Sequence, residues 1–225
     1  MPQNSAPCFE FENVSFAWPG GKTILDGQSF SLPKGVFAVV RGPSGSGKST
    51  LLRLMNRLED PVDGVIRYLG RSLGDWSPPL LRQKVAYLHQ MPVVPDLSVR
   101  ETLCHAFTFN INQALDPPGD SALTAQLQRV GLGDVGLGDP AAALSGGQRQ
   151  RLCLLRAVAT GPDVLLLDEP TASLDKESKA VVEEMAGELC AGGTTVVMVT
   201  HDDFIPGNTA CIEVRVRDGR VEICQ

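Results

Sequence analysis

The stretch Gly42-Pro43-Ser44-Gly45-Ser46-Gly47-Lys48-Ser49-Thr50 carries the clearest chemistry in this chain. Residues 42–49 satisfy the pattern G-x-x-x-x-G-K-[ST], in which glycines let successive backbone N–H groups turn toward one point and cradle phosphate oxygens. A helix beginning at Gly47 would add the positive end of its dipole. Lys48 would add a full charge toward the β- and γ-phosphates, and the Ser49 hydroxyl could ligate Mg²⁺. At average composition a chain of this length meets the pattern by chance in about 1% of cases. The competing reading, a glycine-rich turn that happens to hold a lysine, is weakened further by the apolar run before the loop and the helical periodicity after it.

Two other groups of residues have chemical content. Val164-Leu165-Leu166-Leu167 delivers Asp168 and Glu169 at the end of an apolar strand, where open α/β sheets place ligands. Asp168 there could hold Mg²⁺, and Glu169 could polarise an attacking water as general base. Taken alone, the pair could equally be a solvated acidic turn; behind a phosphate loop that alternative loses its weight. In Leu144-Ser145-Gly146-Gly147-Gln148, Ser145 stands where a helix N-cap would, and two glycines expose backbone N–H groups at the helix start, a second site for an anion.

Positioning these residues requires alternating elements. Residues 8–17 alternate apolar and polar as a half-buried strand, closed by Trp18-Pro19-Gly20-Gly21. Ser29 to Leu32 reads as a second strand, and Val36 to Val40, short and β-branched, as one buried on both faces. Leu51, Leu52, Leu54, Met55 and Leu58 recur at helical spacing behind the loop. A strand is expected over 84–89 and helices over 99–107 and 121–130. A further helix over 144–159, a strand over 163–168, a helix over 176–190 and a strand over 194–200 follow. A hairpin turning at Asp218-Gly219 closes the series. Strand and helix thus alternate around a mostly parallel sheet, and residues 98–138 read as a helical insertion.

Composition bounds the rest. The 225 residues are 43% hydrophobic and 20% charged, enough to bury a real core. Lys and Arg number 20 against 26 Asp and Glu, a net charge of −6, so no positive field invites nucleic acid. The longest apolar runs fall far short of the ~18–20 residues that span a bilayer, which predicts no direct membrane span. Met1 to Pro7 has neither basic residues nor an apolar run, which predicts no secretory signal. Six cysteines without a Cys-x-x-Cys pair and three histidines without ligand spacing predict neither a disulfide framework nor a structural metal.

Taken together, the motifs resemble those of the nucleotide-binding subunit of ABC (ATP-binding cassette) transporters, over essentially residues 8–224. The resemblance implies an α/β fold, a P-loop NTPase with a mostly parallel sheet core, an N-terminal antiparallel β subdomain and a helical insertion. It implies one domain over 1–225, with core and β subdomain in 8–97 and 139–225 and the helical subdomain in 98–138. ATP and Mg²⁺ are the implied cofactors. Trp18 matches the aromatic residue that stacks on adenine, with Phe16 as the alternative stacker. Gln90 matches the glutamine that senses Mg²⁺ and the attacking water, Asp175 the loop that crosses a dimer interface, and His201 the histidine that contacts the γ-phosphate. In the family, Ser145, Gly146, Gly147 and Gln148 of one subunit close over ATP held by Lys48 and Ser49 of the other, giving a head-to-tail homodimer of cassettes. Further implications are a transmembrane permease subunit as partner and a cytoplasmic location, peripheral on the inner face of the cell membrane.

Departures from the family are few. Residues 202–208 read as shorter and more broken than the helix usual there. The sequence ends at Gln225 without the regulatory domain some importers append. The stretch from Gln90-Met91-Pro92 to Leu103 is loosely similar to subunits serving inorganic-ion or metal permeases. A soluble ABC ATPase in an assembly pathway, such as iron–sulfur cluster assembly, is the alternative function. A non-hydrolysing scaffold is a third, against which Glu169 and His201 argue.

Overall fold

The computed structural model describes residues 7–91, 93–202, 204, 206–207 and 209–224. The readings made above for Met1 to Ala6, Pro92, Asp203, Ile205 and Asn208 lie outside the described residues.

The chain opens with β1 (Pro7–Ala17) and β2 (Thr23–Pro33), then β3 (Phe37–Arg41) and helix α1 (Lys48–Met55). Next come β4 (Asp63–Tyr68), β5 (Arg71–Ser72), α2 (Pro78–Lys84) and β6 (Val85–Leu88). Helices α3 (Val99–Cys104), α4 (Asp120–Arg129) and α5 (Gly146–Val158) lead into β7 (Val164–Asp168), α6 (Lys176–Ala191) and β8 (Thr195–Val199). The hairpin β9 (Cys211–Arg217) and β10 (Arg220–Cys224) is last.

The strands form two sheets. An antiparallel sheet runs β2-β1-β4-β5 and a six-stranded sheet runs β10-β9-β3-β8-β7-β6. In the latter, β3, β8, β7, β6 and β9 are parallel and only β10 is antiparallel. Both faces of this sheet are covered. Ala38, Val40, Val164 and Leu166 join the core under α1 and the antiparallel sheet, while Phe37, Val39, Leu165 and Leu167 join the core under α5 and α6. Double-sided burial is why these strands read as unbroken apolar runs.

This order positions the site. The adjacent parallel strands β3, β8, β7 and β6 carry at their C-terminal ends, in a row, the glycine loop, His201, the Asp168–Glu169 pair and Gln90. Four segments distant in sequence meet along one sheet edge.

Local differences from the sequence-based expectations have physical causes. In β1 the buried set changes phase, from Phe9 and Phe11 to Val14 and Phe16, because the pairing slips between Phe11 and Val14, where Asn13 has φ 52°. The same kind of irregular pairing carries β2 back to Thr23 opposite Ala17, six residues earlier than its apolar pattern suggested. Helix α1 stops at Met55 instead of running to Leu58, because Arg57 turns left-handed at φ 56°. The helix expected over 99–107 is α-helical only to Cys104 and continues as a 3₁₀ turn over His105–Thr108. Lys84 ends α2 instead of starting β6.

Candidate nucleotide site

The loop between β3 and α1 has a backbone only glycine tolerates at two points. Gly42 has φ 154°, and a Cβ there would lie 2.1 Å from the Val216 carbonyl oxygen. Gly47 has φ 105°, and its Cβ would lie 2.3 Å from Ile24 Cγ2. The first N–H groups of α1, at Lys48, Ser49 and Thr50, have no intrahelical acceptor, and Gly47 caps the helix without a side chain. They are donors for an anion. Lys48 Nζ bridges the loop's own carbonyls, Gly42 O at 2.9 Å and Pro43 O at 3.0 Å. The Ser46 hydroxyl is buried without a hydrogen-bond partner, as a group that awaits an acceptor would be. A small hollow of about 90 Å³ is lined by Ser44, Gly45 and Ser46 together with Lys22 and Asp218. Thr50 is buried in α1.

Ser49 Oγ donates to Asp168 Oδ1 at 2.8 Å, and Asp168 is only 2% exposed. A hydroxyl and a buried carboxylate side by side are hard oxygen donors that fit Mg²⁺ better than a soft metal. The other Asp168 oxygen accepts from the Tyr87 hydroxyl at 2.8 Å. Burial, and then the neighbouring carboxylate, push the Tyr87 phenol well above its ordinary pKa, so it remains a donor.

Glu169 follows at φ 47°, a left-handed bend that turns its carboxylate out of the strand direction. Its two oxygens are held from opposite sides: Gln90 Nε2 donates to Oε2 at 2.9 Å, and His201 Nε2 lies 3.1 Å from Oε1. Gln90, Glu169 and His201 thus form one hydrogen-bonded trio beside the Ser49–Asp168 pair.

The remaining expected residues lie elsewhere. Ser145 caps α5: its Oγ accepts from the Gln148 N–H at 3.3 Å, and the Gln148 side chain accepts from the Ser145 N–H at 2.9 Å, a capping box. Among the described residues the Ser145 hydroxyl proton and the N–H groups of Gly146 and Gly147 have no acceptor. Among the described residues no hydrogen bond joins 145–148 to the loop 42–50. Asp175 caps α6, accepting from the N–H and hydroxyl of Ser178 at 2.9 Å each; these bonds hold its carboxyl below the ordinary aspartate range. Trp18 is 36% exposed and packs edge-on against Phe16, which is 5% exposed.

Three contacts escaped sequence reasoning: Tyr87 on Asp168, the Lys179–Asp202 ion pair at 2.7 Å, and Arg41, which donates to the carbonyls of Asp202 at 2.5 Å and Phe204 at 3.2 Å. The clues were slight: Tyr87 is an aromatic with a polar tip on an expected strand, and Arg41 is a charge directly after an apolar run.

A larger groove, about 940 Å³, lies away from the loop between β6, α5 and the segment 105–112, with Leu58, Phe109 and Ile111 among its lining residues. Its exposed lining is mixed: Leu58 is 45% and Phe109 53% accessible, beside exposed Arg82, Thr108 and Asn110. Among the described residues no helix is long and apolar enough to cross a membrane.

With this geometry in view, the relatives become informative. The family model described as ABC transporter matches residues 25–172. The chain is 35% identical over 201 residues to the probable iron export ATP-binding protein FetA of Escherichia coli (strain K12), covering 89% of this chain and 87% of that protein. It is also 35% identical over 231 residues to ABC transporter B family member 22 of Arabidopsis thaliana, covering all of this chain and 19% of that relative, so it spans about a fifth of that protein's length. Two solved structures share the fold. One is a bacterial Atm1-family ABC exporter with ATP bound (TM-score 0.82, 23% identity, all of this chain and 41% of that one). The other is cbiO1 from Clostridium perfringens, part of the ABC transporter complex cbiONQ (TM-score 0.77, 24% identity, 97% of this chain and 88% of that one). The chain therefore belongs to the ABC transporter family and is an ATP-binding cassette, the ATPase domain of such transporters.

Proposed function

We propose that this chain is the ATP-hydrolysing subunit that powers translocation by a separate membrane-spanning partner, and that it works as a head-to-tail pair of cassettes. The observation that carries the proposal is the Gln90–Glu169–His201 trio beside Ser49 and Asp168, an acid–base and metal-holding end for the γ-phosphate.

In this reading Lys48 and the N–H groups of residues 42–50 bind the phosphates, and Lys48 exchanges its two loop carbonyls for phosphate oxygens. Ser49, Asp168 and Gln90 would hold Mg²⁺, which when bound neutralises phosphate charge. Glu169 takes the proton of the attacking water. Gln90 and His201 hold its two oxygens in place, and His201 reaches the γ-phosphate. The exposed Trp18, instead of the buried Phe16, stacks on adenine. Residues 98–138 serve as the helical subdomain. The larger groove receives a cytoplasmic segment of the permease, which keeps the cassette peripheral on the inner membrane face. Iron in the name of the FetA relative supports inorganic ions as the cargo class.

The dimer follows from what one chain lacks. Residues 145–148 offer donors at the start of α5 that bond nothing in the loop, whereas a second copy related by a two-fold axis could bring them over the phosphates, with Asp175 at the interface. ATP then favours the closed pair because both donor sets reach it only there. The test is sedimentation of Glu169→Gln with ATP, which is expected to accumulate a dimer that the added Ser145→Arg substitution abolishes. An equal dimer in the double variant would contradict the composite site.

A further inference from the structure

Asp168 is buried, and each of its oxygens has a donor from a different element: Ser49 of α1 on Oδ1 and Tyr87 of β6 on Oδ2, both at 2.8 Å. Among the described residues β6 is an edge strand whose one partner is β7, where Tyr87 stands opposite Leu166. Asp168 lies two residues further along, on the same face as Leu166. The diagonal is one strand spacing of about 4.8 Å by two residues of about 3.3 Å rise. A phenol is long enough to cross it and ends in a donor; serine and threonine on β6 would fall short. The Tyr87 side chain also packs against the core under α1 and its ring meets His89 edge-on at 6.0 Å, so the ring is fixed by more than its hydroxyl.

We infer that Tyr87 is a positioning residue for the metal-bearing carboxylate: its hydroxyl pins Oδ2 of Asp168 so that Oδ1 stays aimed at Ser49. The inference rests on the reading of Asp168 as a metal ligand. When Ser49 turns its oxygen to the metal, Tyr87 is the donor that remains on the carboxylate. Without it, a buried oxygen loses its partner and the carboxylate plane is free to rotate.

The molecule contains its own control. Tyr68 donates to Asp163 Oδ2 at 3.1 Å, a second phenol–carboxylate bond remote from the glycine loop. The experiment is a titration of the full chain with Mn²⁺ in the presence of ATP, reading free Mn²⁺ by electron paramagnetic resonance, beside ATP binding in chelator. Tyr87→Phe, which keeps the ring, is expected to weaken Mn²⁺ binding on the order of ten-fold while metal-free ATP binding stays as in the parent; Tyr68→Phe is expected to change neither. Tyr87→Leu makes the same prediction should the phenylalanine variant not fold. Unchanged Mn²⁺ affinity in the Tyr87 variants, or an equal loss in Tyr68→Phe, would overturn the inference. A parent chain that binds ATP but no Mn²⁺ would instead overturn Asp168 as metal ligand, and the role of Tyr87 with it.

Discussion

Glu169 shows how much one backbone angle does. At φ 47° it leaves the line of β7, so successive carboxylates separate: Asp168 faces Ser49 and Tyr87, and Glu169 faces Gln90 and His201. Two acids adjacent in sequence thereby acquire different partners. Aromatic residues divide in the same way. Phe16 is sealed in the core and Trp18 leans on it from outside, so their truncations should separate cleanly. Trp18→Ala is expected to weaken ATP binding by about 1–3 kcal/mol, the value of a base–aromatic stack, with little change in stability. Phe16→Ala is expected to cost about 3–5 kcal/mol of folding free energy. Calorimetric titration and urea unfolding of the two variants check this; ATP affinity untouched by Trp18→Ala would contradict the stacking role of Trp18.

At the scale of elements, the parallel strands gather the site and α6 ties two parts of it together. Asp175 caps the helix, and one turn on, Lys179 reaches Asp202, the neighbour of His201, while Arg41 holds the Asp202 carbonyl from the end of β3. The bond to Lys179 holds the Asp202 carboxyl below its ordinary value of 3.8, and the bond to Asp202 holds Lys179 above its ordinary 10.5. The pair's contribution is therefore full between these two values. It is lost as pH falls through the folded pKa of Asp202, and again as pH rises through that of Lys179. Asp202→Asn should destabilise the chain by no more than about 1 kcal/mol near neutrality, since the pair is solvent-screened, and the difference from the parent should vanish in strong acid. Urea unfolding across pH measures it, and a difference that persists below the folded pKa would contradict the ion-pair account.

Elements with one strong period were legible in the sequence, and so was the site wherever chemistry and position coincide in a short motif. The loop 42–50, the Asp168–Glu169 strand end and the Ser145 cap are such cases. What escaped is what pairing decides. β4 carries Gly64, where a Cβ would lie 2.4 Å from the Asn13 carbonyl oxygen, and its register is set by its neighbours β1 and β5. Nothing in the spacing of Tyr87 and Asp168, 81 residues apart, announces a diagonal contact between β6 and β7. Lys179 and Asp202 likewise meet only because β8 ends beside the first turn of α6.

At the scale of the whole molecule, two sets of donors stand apart. The glycine loop, Asp168 and Glu169 gather at the C-terminal ends of β3 and β7; among the described residues the start of α5 offers a second set of donors that bonds nothing in that loop. In the reading proposed above, two copies complete the site, and ATP that bridges them would stabilise the pair by mass action. Loss of the bridging γ-phosphate would release it, passing motion to whatever occupies the groove beside β6. The most direct test is steady-state ATP hydrolysis against protein concentration, with and without Mg²⁺, beside Glu169→Gln. The account predicts a rate that rises faster than linearly with concentration, needs Mg²⁺ and is lost in the variant. A strictly linear rate, or full turnover in Glu169→Gln or without a divalent metal, would contradict it.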